Sequence, residues 1–468
     1  MFGLQIRYLS FFFSIISILS FFNIIYSYYF NLYLNLDTYF YTLIVSFLLF
    51  LTFYIFGEKN KRPSIFDKIL TIFVGYLFLP LILSTPFYLS IYNLTFLDSY
   101  FESISGFTST GFTIFEDIRL IDQSLIIWRS STQWIGGLYF VFSIIYLIDI
   151  YDESFKKTLT NFTSLSSSES LKQASKIFIL YSSLTLFIFI ILNFFSIRTF
   201  DSLNLALTII SSGGFLPVNE LSNIIKDNSQ VVVISILMLL SFFSLFFIYN
   251  LFFLKKKNIN FFYEDLHLAI YLIAVIAIFF LFFSFNYNFS YNLLAITSSI
   301  SNIGFSLNTN QPNLNFIYLM LVIIGGSFFS TSSGLRFIKI YSLLKFSLNQ
   351  ILSFSKPKNV FMNKLIFTKI NFNLKEINKY FLSVIVFILS LFTLASLLTL
   401  SGIDFISSFK LSILTLMNTV NSSIYGLDNL NFNSFGFFTK YSLIFFMIVG
   451  RIELLTILLL IRKFLFKN

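Results

Sequence analysis

The sequence predicts an all-α polytopic membrane protein, and three observations carry that prediction. First, the 468-residue chain is 57% hydrophobic and 11% charged, whereas soluble globular domains carry roughly 25% charged residues. Second, apolar windows of about 20 residues, the length a helix needs to cross the hydrocarbon core, recur along the whole chain. Third, the loops between those windows alternate in charge, as the connections of a multi-pass protein do.

The windows fall near 8–30, 36–56, 66–92, 124–149, 175–197, 230–254, 266–286, 314–345, 378–400 and 436–462, giving about ten transmembrane helices. The first begins with one Arg and an apolar run, like a signal peptide. That run reaches about residue 30 without a small-x-small cleavage site, so it reads as a retained helix. Between the later windows lie apolar pieces at 96–107, 200–211, 291–301 and 403–418, too short to span.

One set of connections carries Lys59, Lys61, Arg62, Lys156, Lys157, Lys172, Lys255, Lys256 and Lys257, and the 346–377 loop is rich in lysine. The opposite set carries Asp98, Glu102, Glu116, Asp117, Asp122, Asp201, Glu220, Asp227, Asp404 and Asp428. Positive loops stay inside, so both termini are expected in the cytoplasm, with the chain in the cell inner (cytoplasmic) membrane. The net charge of +10 is therefore a topology signal, and no nucleic-acid partner is implied.

With no cysteine, the chain has neither disulfides nor thiolate metal sites, and its one histidine, His267, reads as a capping or surface residue at a helix start. One peripheral His and no clustered acids on the short pieces leave no catalytic constellation to assemble, so the chain is not expected to be an enzyme. Arg129, beside Trp128 and Trp134, reads as an interfacial anchor.

From residue 66 a unit recurs four times: long helix, short re-entrant helix, Gly/Ser/Thr-rich turn, long helix. The expected division is two extra N-terminal helices (1–65), then repeats at 66–155, 156–260, 261–355 and 356–468. This makes four M1–P-loop–M2 repeats around a central pore, entered from the acidic outer side. The turns read "TSTGF" (108–112), "SSGGF" (211–215), "SNIGF" (301–305) and "TVNSS" (419–423). Irregular backbone survives at membrane depth only when buried in protein or lining a water-filled path. Extended backbone with glycine can direct carbonyl oxygens at a small cation in place of its water, and each short helix aims its negative C-terminal end at the same point.

Several motifs make the chain resemble the Trk/Ktr/HKT superfamily of potassium transporters, specifically its TrkH branch. "FESISGFTSTGFTI" and "DSLNLALTIISSGGF" are similar to the first two filters of that family, and "WRSSTQWIGGL" to the helix after the first. "GGSFFSTSSGLRFIKI" (325–340) resembles a Gly/Ser-rich kink in the third repeat, while "GIDFISSF" and "VGRIELLTILLL" match the fourth. The resemblance implies potassium uptake, with K+ as the transported ion and no organic cofactor. The implied filter is Ser109, Thr110, Gly111 and Phe112; Ser212, Gly213, Gly214 and Phe215; Asn302, Ile303, Gly304 and Phe305; and Thr419, Val420, Asn421 and Ser422. Two registers one residue apart fit the fourth set around Val420. Asn421 at the glycine position would be tolerated, because Asn visits positive φ more readily than other side-chain-bearing residues.

The resemblance also implies a gating loop across the pore at Gly325, Gly326, Ser330, Thr331, Ser332, Ser333 and Gly334, with Arg451 of the last helix holding it closed through its backbone. The alternative for Arg451 is a staple to Glu453. The implied assembly is a homodimer in membrane lipid, gated by a cytosolic nucleotide-binding regulatory subunit (TrkA-like). Rival functions are a sodium-permeable or ion-coupled cation transporter, and a secondary transporter for an organic solute. Broken helices suit the latter too, yet mid-helix Asp to couple it is absent from the sequence.

Overall fold

The computed structural model describes residues 5–57, 63–148, 170–253, 263–283, 288–307, 314–354, 374–427 and 430–452. Lys59, Lys61, Arg62, Lys156, Lys157, Lys255, Lys256, Lys257, Asp428 and Glu453 lie outside the described residues.

The chain is all-α and polytopic. Two helices, α1 (Ile6–Tyr29) and α2 (Leu36–Phe56), precede everything else and form a hairpin. The first repeat runs α3 (Ile65–Leu83), α4 (Thr85–Tyr88), α5 (Phe96–Phe107) and α6 (Gln123–Tyr146). The second comprises α7 (Ser170–Phe194), α8 (Thr199–Ser211), α9 (Asn228–Phe242) and α10 (Leu245–Phe253). Next come α11 (Tyr263–Phe283), α12 (Phe289–Ile300), α13 (Asn315–Ile323) and α14 (Phe337–Ser353). The last repeat is α15 (Leu374–Leu400), α16 (Phe405–Leu416) and α17 (Phe437–Arg451). Six of the described helices are long and apolar enough to cross a membrane. Their outward faces are apolar, as on α2, where Phe40, Tyr41, Phe47 and Leu48 are exposed, a surface that water would not tolerate and lipid does.

The short pieces are helices of 12, 13, 12 and 12 residues: α5, α8, α12 and α16. At 1.5 Å per residue each is about 18 Å long, well short of a bilayer core of roughly 30 Å, so each must stop inside the protein. Their starts are set by ordinary capping chemistry. Thr95 accepts from the Asp98 amide at the head of α5, and Asp404 accepts from the Ser407 amide at the head of α16.

Three of the expected long helices are interrupted. The 66–92 window breaks at Ser84, where Pro86 opens the short α4 and cannot continue the hydrogen-bond ladder. The 230–254 window breaks at Phe243, and the 314–345 window opens into a loop between α13 and α14. A two-residue parallel pairing closes the neck of that loop, Ile324 to Leu335 and Gly325 to Arg336.

Candidate functional site

The four short helices end in one backbone device. A residue with left-handed φ follows each helix: Ser109 (57°), Ser212 (55°), Asn302 (60°) and Asn418 (49°). The next amide returns to a carbonyl inside its helix, through Thr110 N to Ser105 O (2.9 Å), Gly213 N to Thr208 O (2.9 Å), Ile303 N to Ser298 O (3.1 Å) and Thr419 N to Leu414 O (2.9 Å). One residue later come Gly111 (φ 81°), Gly214 (138°) and Gly304 (83°). In the fourth turn that place is held by Val420.

This fixes the register that the sequence left open. Asn421 lies one position past the glycine place, and among the described residues with positive φ the fourth turn supplies only Asn418. The left-handed tolerance of Asn is used, but at Asn418 rather than at Asn421. Asn421 instead donates to Leu427 O at 3.2 Å.

Hydroxyls and amides pin the turns from behind. Ser105 donates to Phe112 O (2.6 Å) and Thr208 to Phe215 O (3.0 Å), at equivalent places in two repeats. The Asn418 amide reaches Thr110 Oγ1 (3.0 Å) and Met447 O (2.9 Å), and the Asn302 amide reaches Val322 O (2.8 Å). Ser212 donates to Ser301 O. Gln133 accepts from the Phe215 amide at 3.2 Å. Among the described residues no hydrogen bond reaches the carbonyls of Ser109, Thr110, Ser212, Gly213, Asn302, Ile303, Asn418 or Thr419. Buried carbonyls are almost always paired, so this row of free acceptors at the meeting point of four helix C-termini suits a cation.

Arg129 is not at the interface, as its tryptophan neighbours suggested. It is buried, its Nε 2.8 Å from Glu102 Oε1 and its Nη2 3.0 Å from Thr113 Oγ1, with the guanidinium 4.2 Å over the Phe215 ring. Glu102 also accepts from the Ile114 amide at 2.9 Å. The pair therefore clamps the irregular segment that leaves the first turn. Asp98 is likewise matched, by Lys440 at 2.6 Å, so both acids of α5 are paired with bases. His267 lies in α11, half-buried, its Nδ1 2.6 Å from Tyr263 O and its ring against Tyr341.

Above the turns opens a cavity of about 480 Å³, lined by Gly111, Gly214, Gly304 and Val420 at its floor and by Glu116, Asn219, Glu220 and Asn431 among its wall residues. Beneath them lies the 326–334 loop. Ser332 donates to Asn302 Oδ1 at 2.7 Å, joining the loop to the third turn. The loop's backbone pairs with the break between α9 and α10: Ser327 N to Phe242 O (3.0 Å), Ser332 N to Ser241 O (3.1 Å) and Leu245 N to Phe329 O (3.2 Å). Two acids at the start of α11 complete this seam, Glu264 accepting from the Phe328 amide (3.0 Å) and Asp265 from the Ser244 amide (2.9 Å). Gly325 and Gly326 have no room for a side chain, since a Cβ would meet Ser333 O at 2.2 Å and Phe242 O at 2.4 Å respectively.

Two fully buried arginines serve the loop, and sequence reasoning singled out only one. Arg336 donates to Ser327 O (2.9 Å), Ser330 Oγ (3.1 Å) and Ser332 O (3.1 Å), which is the backbone role expected of Arg451. Arg451 instead donates to the Ser333 hydroxyl, to Ser109 Oγ (3.2 Å) and to Ser211 O (3.4 Å). Carried on the fourth repeat, it touches the first, second and third. A side chain that reaches all three other repeats must lie near their common axis. The ring of Phe140 lies against both guanidiniums, 4.0 Å from that of Arg451 and 4.9 Å from that of Arg336.

No family model matches the chain. It is 26% identical over 440 residues to an uncharacterized cation transporter of Methanocaldococcus jannaschii, covering 89% of this chain and 88% of the relative. It is 23% identical over 460 residues to the Trk system potassium uptake protein TrkG of Escherichia coli, covering 91% and 92%. With TrkH of Salmonella typhimurium the identity is 24% over 391 residues, 79% of each chain. The solved structure of the potassium transporter TrkH from Vibrio parahaemolyticus superposes with a TM-score of 0.83 over 99% of both chains at 19% identity, a likeness of fold. The similarity to Trk proteins of the TrkH branch, first seen in short motifs, thus extends over most of the sequence.

Proposed function

We propose that this chain, similar to Trk potassium uptake proteins over most of its length, takes up potassium across the cytoplasmic membrane. The ion enters the cavity above Gly111, Gly214, Gly304 and Val420, whose acidic wall residues attract cations. It exchanges its water for the carbonyls of the four turns, Ser109 to Gly111, Ser212 to Gly214, Asn302 to Gly304 and Asn418 to Val420. The observation that carries this reading is the set of carbonyls at those turns that no hydrogen bond reaches among the described residues. The chain divides on this reading into two leading helices and repeats at 66–155, 156–260, 261–355 and 356–468.

The 326–334 loop is the gate. In the arrangement described it lies directly beneath the filter, bonded to Asn302 through Ser332 and, by way of Arg451, to Ser109 and Ser211. A guanidinium near the axis opposes a passing cation: two unit charges 4 Å apart repel by about 4 kcal/mol at an effective dielectric of ~20. Opening therefore requires Arg451 and the loop to move together. Control of that motion is assigned, by resemblance, to a cytosolic nucleotide-binding partner acting on a homodimer.

The test is flux into liposomes holding the purified protein, with potassium, rubidium, sodium and lithium compared side by side. Potassium flux above empty liposomes and ahead of sodium is expected. Sodium ahead of potassium would transfer the assignment to a sodium-permeable transporter, and flux of neither would remove the chain from cation transport.

A further inference from the structure

The fourth turn departs from the other three at one place, and that place lies on the axis. A Cβ built on Gly111 would come within 3.0 Å of Val420 Cβ, one on Gly214 within 2.9 Å of Val420 Cβ, and one on Gly304 within 2.6 Å of Val420 Cγ1. These glycines belong to three different repeats. The isopropyl group of Val420 therefore fills the space that all three glycines face. It is also part of the floor of the outer cavity, where it is partly exposed while Gly111, Gly214 and Gly304 are buried.

Two physical consequences follow. The three glycines adopt φ of 81°, 138° and 83°, a region that L side chains rarely enter and β-branched ones avoid most. Val420 is absent from the described residues with positive φ, so the peptide before it is turned unlike its three counterparts. A branched apolar side chain also projects where the others present only hydrogen, and it offers a dehydrating ion no oxygen. Glycine at this place would leave the mouth wider and closer to four-fold.

On the reading that this is a cation pathway, we infer that Val420 is the size-determining residue at the outer mouth of the filter, narrowing it against monovalent cations larger than potassium. The three glycines and the valine act as one aperture, glycine giving approach and valine setting width. The restriction is steric, so it follows the volume at Cβ rather than polarity.

The test is the ratio of caesium to potassium flux in liposomes containing the full-length protein, wild type beside Val420→Gly, Val420→Ala and Val420→Thr. Val420→Gly is expected to raise the caesium-to-potassium ratio on the order of tenfold, equivalent to ~1.4 kcal/mol off the barrier for the larger ion. Val420→Ala should fall between. Val420→Thr, which keeps the branched shape and adds a hydroxyl, is expected to keep the wild-type ratio. A Val420→Gly protein that conducts potassium with an unchanged caesium ratio would overturn the inference. So would a ratio that changes equally in Val420→Thr, because polarity would then be the cause. If Val420→Gly fails to assemble, Val420→Ala against Val420→Thr decides alone. Wild-type protein that passes no monovalent cation would defeat the pathway reading itself, and the wild-type control distinguishes that result from failure at Val420.

Discussion

The turns proposed as the filter and the 326–334 loop are both helix interruptions within the all-α bundle, yet they treat their carbonyls differently. In the turns, four short helices deliver free oxygens to one point, while side chains such as Ser105, Thr208 and Gln133 pin only the flanks. In the loop, several of the freed oxygens are covered: Arg336 takes Ser327 O and Ser332 O, and the Leu245 amide at the α9–α10 break takes Phe329 O. Free acceptors held rigidly suit an ion. Covered acceptors on a seam of long-range bonds suit a part that comes away as a unit, because the bonds joining it to its surroundings can be exchanged for water one set at a time. The lesson is that glycine- and serine-rich breaks mean different things according to where their hydrogen bonds go.

The largest expected effect is on the free side of that contrast. Gly111→Val would need a β-branched residue at φ 81° with its Cβ 3.0 Å from Val420 Cβ. Potassium flux is expected to be lost while the protein still reaches the membrane, as judged by surface abundance beside liposome flux. Normal flux in Gly111→Val would erase the distinction between filter and loop.

On the covered side, Arg336→Ala leaves the buried Ser332 carbonyl unpartnered, which costs about 1–3 kcal/mol, while Ser327 O keeps the Ser330 amide and hydroxyl as donors. The expected outcome is a lower melting temperature together with raised basal cation leak. Arg451→Ala removes a charge near the axis and the tie between Ser333 and the turns, without uncovering the loop's backbone. It should raise basal flux on the order of tenfold, which needs only ~1.4 kcal/mol of the repulsion, with little change in melting temperature. If the two variants behave alike in both measurements, capping and blocking are not separate roles.

Much of the fold was legible because its physics is one-dimensional. A 20-residue apolar window must span, and a 12-residue one must stop inside, so α5, α8, α12 and α16 were found nearly to the residue. What was missed depends on distance in sequence. Arg129 looked like an interfacial anchor because its local company is tryptophan, while its partner Glu102 sits 27 positions earlier on another helix. Arg336 stood inside a quoted motif, but nothing local says that it folds back on Ser327. The fourth register stayed open because Asn421 could serve as a glycine substitute. The better signal was the residue two places earlier, Ser109, Ser212, Asn302 and Asn418, small polar residues that tolerate left-handed φ in every repeat.

That register gives a smaller and reversed expectation at Asn421. Placed at the glycine position, Asn421→Val would be damaging. In the structure Asn421 has ordinary φ and one hydrogen bond to Leu427 O, whose loss costs about 0.5–1.5 kcal/mol. Asn421→Val is therefore expected to change ion ranking in liposome flux by less than about twofold, and a collapse of selectivity would restore the rejected register.

The smallest effect is expected at the rim of the outer cavity, where the Arg119–Asp117 pair is exposed. Asp117 accepts from Arg119 Nε (3.1 Å), Nη2 (3.0 Å) and amide (3.0 Å), and from Asn219 Nδ2 (2.9 Å). Those bonds, chiefly from the Arg119 side chain, hold its carboxyl down at about 2. A depressed pKa contributes stability that is present above the unfolded value and lost as pH falls through the folded one. The contribution of Asp117 is thus whole at neutral pH and is lost progressively below about pH 5, toward about 2, so any fall in flux between pH 7 and 5 must arise elsewhere. Asp117→Asn removes one rim charge, while Asn219 is left with its bond to the Ile118 amide. Screening over about 8 Å at physiological ionic strength leaves little attraction to lose there, whereas at 10 mM salt the field reaches about 30 Å. Half-saturation for potassium should therefore rise measurably only at low salt, with maximal flux unchanged. A salt-independent loss of maximal flux in Asp117→Asn would place this rim among the parts that shape the filter, and would extend the rigid side of the contrast outward to the vestibule.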